Sequence, residues 1–218
     1  LPAGVEIAVG GGNPLAWEGV HYSLNDLNTH GLVYNITVNA VHVRKYYYSI
    51  FNNNIFKGIG ISYNKEFSKE CFELAESNKN VIFHLIMGVH SIDDLNKIIS
   101  NVKSPKVLLL GYKQFGRGAN YYNGKVQDNI NSWYTMIHTF FKVKKLTLSF
   151  DNLALTQLDF KRFMTQSVWD AFYMGDDSKF TMYIDFVEMK YAKSSTSKNR
   201  FDINQLTIED MFAHVKTL

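Results

Sequence analysis

The chain has 218 residues, of which 46% are hydrophobic, 15% aromatic and 20% charged. That balance excludes a disordered or collagen-like chain and leaves enough apolar surface for a sizeable core. The formal charge is only +3 and the basic residues form no long run, so charge indicates neither nucleic acid nor a membrane as partner.

Cys71 is the one cysteine. It rules out an internal disulfide, and a multi-cysteine zinc or iron–sulfur site built by this chain alone. A cytoplasmic location is the expectation from such cysteine usage. No apolar run approaches the length of a membrane span, and the opening LPAGVEIAV is too short for a secretory signal.

In chain order, residues 5–9 read as a short apolar strand ended by Gly10-Gly11-Gly12-Asn13-Pro14. Residues 22–28 have helical spacing, 32–40 are β-rich, and 43–52 read as an aromatic helix. A strand over 56–63 contains glycines, which in strands mark close approach of a neighbour. A helix over 65–79 places Cys71 among apolar neighbours, as a core residue.

The alternation continues with a strand at 80–88 and a capping box at Ser91-Ile92-Asp93-Asp94 opening an amphipathic helix. Residues 105–112 form a near-continuous apolar strand of the kind buried on both faces. A Gly-rich loop follows, then a helix over 126–142, a strand over 145–150 and a helix over 158–172. Residues 180–187 and 188–192 read as two extended arms, 190–200 as a polar loop, and Thr207 as the N-cap of a last helix.

Strand–helix alternation predicts an α/β fold: an incomplete (β/α) barrel with mainly parallel strands, plus a short C-terminal hairpin and helix. The expected division is a partial barrel over 1–175 and a hairpin-and-helix extension over 176–218. Functional residues in such folds collect at the C-terminal strand ends. The turn at Gly11, Gly12 and Asn13 offers backbone N–H groups to a polar ligand. Arg117, between Gly116 and Gly118, offers a planar fork for a carboxylate or phosphate. His84 and His90 lack a third ligand at suitable spacing and read as ordinary polar side chains. No catalytic triad and no metal site stands out.

Taken in order, these strand ends resemble the radical S-adenosylmethionine (SAM) enzymes from the second strand of their partial barrel onward. The family's Gly-Gly-Glu-Pro motif is similar to Gly11-Gly12-Asn13-Pro14, and its Thr-Asn-Gly to Thr37-Val38-Asn39-Ala40. The fourth-strand serine is similar to Ser62. The helix start after the fifth strand resembles Ser91-Ile92-Asp93-Asp94-Leu95, and a Gly-Arg-Gly loop after the sixth resembles Gly116-Arg117-Gly118. The likeness is greatest to phage- or mobile-element-associated members.

The resemblance implies SAM and a [4Fe–4S] cluster as cofactors. The cluster would cleave SAM reductively to a 5′-deoxyadenosyl radical that acts on a small-molecule or peptide substrate. Gly11, Gly12 and Asn13 would meet the SAM amino group, Asn39 and Ser62 its ribose and carboxylate. Arg117 would anchor a carboxylate, and Tyr112 and Lys113 would line the floor. The family's Cys-x3-Cys-x2-Cys loop is not among these residues, so the chain is expected to be the downstream part of a longer protein. Asn13 stands where the family has Glu. The alternative reading is a non-catalytic binding or regulatory protein on the same scaffold.

Overall fold

The computed structural model describes residues 4–10, 14–16, 30–50, 56–64 and 69–218. Their contacts divide the chain into two compact units, Leu1–Phe163 and Met164–Leu218.

The first unit is built on six parallel strands: β1 (Glu6–Val9), β2 (Val33–Asn39), β3 (Gly58–Ser62), β4 (Val81–Ile86), β5 (Lys106–Leu110) and β6 (Thr147–Phe150). Each strand pairs with the next in sequence, in the order β1-β2-β3-β4-β5-β6. Parallel neighbours need crossover connections, and right-handed crossovers that always advance in one direction fall on one face of the sheet. The result is an incomplete barrel; closure takes eight strands.

Burial follows that geometry. Tyr34, Ile36 and Val38 of β2, Ile59 and Ile61 of β3, Phe83 and Leu85 of β4, and Val107 and Leu109 of β5 are buried on the helix-covered face. The other face is only half-buried, and in β5 burial alternates, so Leu108 and Leu110 are not sealed as the apolar run suggested.

The covering helices are α1 (Ala40–Ile50), α2 (Lys69–Ser77), α3 (Ile92–Asn101), α4 (Arg117–Tyr121), α5 (Gly124–Met136) and α6 (Asn152–Gln157). Cys71 of α2 is fully buried, as a core residue should be, and Phe72 packs its ring 6.1 Å from that of Phe83. The capping box at α3 is formed: the Asp94 carboxylate accepts from the Ser91 N–H at 2.8 Å. The Gly-rich loop is not all loop, because α4 makes one short helix within it.

The helix expected over 158–172 is interrupted. Asp159 adopts φ 46°, a left-handed backbone that no helix continues through. A 3₁₀ turn (Phe160–Phe163) follows, and Thr165 then caps α7 (Gln166–Phe172) by accepting from the Val168 N–H. The helix expected over 22–28 lies outside the described residues.

The second unit holds α7, an antiparallel sheet of β7 (Tyr183–Asp185), β8 (Lys190–Ala192) and β9 (Phe201–Asp202), and α8 (Ile208–Thr217). Its core is Tyr191, Ile203, Met211 and Val215. The Tyr191 hydroxyl is 2.7 Å from His214 Nδ1, and Thr207 and Asp210 close a capping box on α8. The polar stretch 190–200 is not simply a loop: its start is β8, and it leads into the unforeseen β9.

Candidate functional site

A strand alternates its side chains between faces, so register decides which residues share the open face. Asn39 pairs with Ser62, Ser62 with His84, His84 with Leu108 and Leu108 with Ser149. One residue pair toward the N-terminal edge, Thr37 lies opposite Gly60. Another pair further, Ala8, Asn35 and Gly58 form a row. The open face carries Asn35, Thr37, Asn39, Ser62, His84 and Ser149 beside Ile82, Leu108 and Leu110, a mixed lining where a closed barrel would be packed with branched apolar side chains.

The two glycines of β3 make the trough. A Cβ at Gly60 would lie 2.6 Å from His84 Nε2 and 3.1 Å from Thr37 Oγ1, so the imidazole and the hydroxyl converge over that α-carbon. A Cβ at Gly58 would lie 2.5 Å from Asn35 Oδ1. The Asn35 amide also donates to Glu6 at 2.6 Å. Burial pushes the His84 imidazole down to about 4, so the ring is neutral at pH 7. It makes no hydrogen bond among the described residues.

Two neighbouring loops are held firmly. The His90 ring accepts the Ile86 N–H at Nδ1 (2.7 Å), which leaves Nε2 to donate to the Tyr63 carbonyl at 2.9 Å. The Trp133 indole N–H donates to the His90 carbonyl at 2.8 Å. Both ring nitrogens of His90 are therefore occupied by backbone. After β5, the Gly111 N–H donates to Asp151, the N-cap of α6. Gln157 brackets the Tyr112 backbone, accepting from its N–H at 2.8 Å and donating to its carbonyl at 2.9 Å.

The expected ligand contacts distribute unevenly over this frame. Gly11, Gly12 and Asn13 lie outside the described residues. Asn39 and Ser62 are paired at the C-terminal ends of β2 and β3. Asn39, however, spends its Oδ1 on the His42 N–H at 3.1 Å and so caps α1. Ser62 is half-buried. Tyr112 is buried, and its hydroxyl donates to the Gly118 carbonyl at 2.7 Å, which ties the loop to itself. Lys113 is half-buried. Arg117 is the first residue of α4, and its side chain lies outside the described part.

Sequence reasoning missed His84 and Asn35 as members of the open face. The signal was in the strand pattern: His84 falls between Phe83 and Leu85, on the face opposite to the apolar residues, beside a strand with glycine at alternate positions.

The thiol inventory does not fit an iron–sulfur cluster. Such clusters are held by several thiolates, whereas Cys71 is the single cysteine and is fully buried. Among the described residues no three His, Cys, Asp or Glu side chains are grouped to hold a metal, and no helix is long and apolar enough to cross a membrane. No protein-family model, curated protein or solved structure matches the chain.

Proposed function

We propose that this chain is the ligand-binding barrel of a radical-SAM-type enzyme, taking SAM across the C-terminal strand ends. The observation supporting the reading is the uninterrupted order of six parallel strands with a polar row, Asn39–Ser62–His84, on the uncovered face. In this reading Ser62 and residues Gly11, Gly12 and Asn13 meet polar groups of SAM, and Arg117 holds a carboxylate through its fork. The substrate is a small molecule or peptide, and the protein works in the cytoplasm.

Reductive cleavage of SAM belongs to a [4Fe–4S] cluster, and the residues of this chain do not hold one. Radical chemistry therefore requires thiolates from a further segment of the same protein. The single buried thiol favours a second reading, a non-catalytic binding or regulatory protein on the same scaffold.

Calorimetric titration with SAM tests the first reading. Arg117→Lys keeps charge but loses the paired hydrogen bonds, and should weaken binding about tenfold to a hundredfold. Ser62→Leu should weaken it by filling the row. Asn13→Glu should tighten it through the SAM ammonium group. Equal affinity in all three variants of a SAM-binding, cluster-loaded form of the protein rejects this placement of SAM. Anaerobic reconstitution with iron and sulfide separates the two readings: a longer form of the protein that loads a cluster supports the enzyme.

A further inference from the structure

We propose a second ligand site, a nucleotide-binding cleft on the outer surface of the barrel unit, formed by Tyr134, Thr135, His138, Arg162 and Phe163. It is independent of the SAM reading. The cleft is shallow and largely open, with a volume of about 410 Å³. Tyr134 and Thr135 end α5, His138 sits in the 3₁₀ turn that follows (Ile137–Lys142), and Arg162 and Phe163 close the turn after α6.

The cation is held ready. The Arg162 guanidinium carbon is 3.5 Å from the Tyr134 ring centroid and 4.5 Å from that of Phe163. Nη2 donates to the Tyr134 carbonyl. Stacking fixes the plane of the fork, and its remaining N–H groups are the kind that pair with phosphate oxygens. Beside it the His138 ring lies 26° from parallel with Phe163, centroids 6.2 Å apart. Phe163 is used up by Arg162, His138, Phe141 and Phe160, so a planar base would stack on the second face of Tyr134 or His138, next to the fixed cation.

Among the described residues that line the cleft, no carboxylate opposes the Arg162 guanidinium. The occupant by this chemistry is a nucleoside monophosphate unit, free or within a single strand.

The test uses the chain with AMP, adenosine, inorganic phosphate and a short oligonucleotide as probes, read by calorimetry. AMP should bind more tightly than adenosine or phosphate, and tighter binding of the oligonucleotide would identify a strand as the source. Arg162→Gln should lower AMP affinity at least about tenfold. Because that change also removes a packed side chain, Thr135→Glu is the second variant: it puts a carboxylate at an exposed position of the cleft and leaves the stack intact. It should lower AMP affinity as much, with the thermal midpoint unchanged and SAM binding unaffected. No AMP binding at millimolar concentration, phosphate binding as tightly as AMP, or AMP affinity unchanged in both variants would overturn the proposal.

Discussion

The His84 ring takes the space that a side chain at Gly60 would need: a Cβ there would lie 2.4 Å from His84 Cε1. The imidazole reaches diagonally across two strands because β3 offers it bare backbone. Gly60→Ala should therefore cost about 1–3 kcal/mol through displacement of the ring. In the His84→Ala background the same change should cost far less, since the obstacle is gone. Urea denaturation of the four proteins of this cycle measures the coupling; additive costs would show that the ring does not fill the trough.

Protonation gives a second handle on the same residue. His84 is held near 4 in the folded chain against 6.5 when unfolded. Between those values the unfolded state binds more protons, so stability rises with pH across the window and is flat above it. The loss on acidification should begin below about pH 6.5 and approach about 3 kcal/mol near pH 4, from the size of the shift. Burial moves His42 and His90 in the same direction. His84→Gln should flatten part of the curve, and an unaltered pH profile of the thermal midpoint in that variant would contradict the assignment.

His90 works as a staple between strand ends, not as a ligand. His90→Ala strands the Ile86 N–H and the Tyr63 carbonyl and opens a cavity, and should cost about 2–4 kcal/mol. Trp133→Phe removes the indole bond to the His90 carbonyl and leaves a smaller ring in a fully buried site, and should cost about 2–4 kcal/mol. Hydrogen exchange at the Ile86 amide is the direct check: His90→Ala should raise it, while an unchanged rate would deny the bond.

The Gly111–Gly118 loop makes the opposite prediction for a residue once placed on the ligand floor. Tyr112→Phe deletes the bond to the Gly118 carbonyl and should lower stability by about 1 kcal/mol while leaving SAM affinity unchanged. Gly118→Ala should be more severe, because a Cβ there would lie 1.9 Å from the Lys113 carbonyl oxygen. A loss of SAM affinity in Tyr112→Phe at full stability would return the hydroxyl to the ligand.

What the sequence made legible was periodic and local. The alternation in Val81–Ile86 shows as β4, and the spacing of Ser91 to Asp94 and Thr207 to Asp210 shows as two capping boxes. Gly58 and Gly60 announced a close approach but not what approaches, because that depends on Asn35 and His84 in neighbouring strands. Asn39 illustrates a different limit. An asparagine at a strand end reads equally as a ligand contact or as the cap of the next helix, and the sequence does not show that its Oδ1 takes the His42 N–H. The break at Asp159 was hidden because left-handed backbone at a non-glycine residue leaves no compositional mark. β9 was hidden because two residues, Phe201 and Asp202, become a strand only by pairing with β8.

The strand order also governs assembly. When β3 is complete, its partner β2 has already been made, and the same holds for each later strand up to β6. No strand waits for a partner from the far end of the unit, as it would in a sheet whose order reverses. Growth can follow synthesis, with β1 as a fixed edge and the newest strand as the advancing one. The edges exposed during biogenesis are therefore these two, and among the described residues the finished sheet is bounded by β1 and β6, each only four residues long.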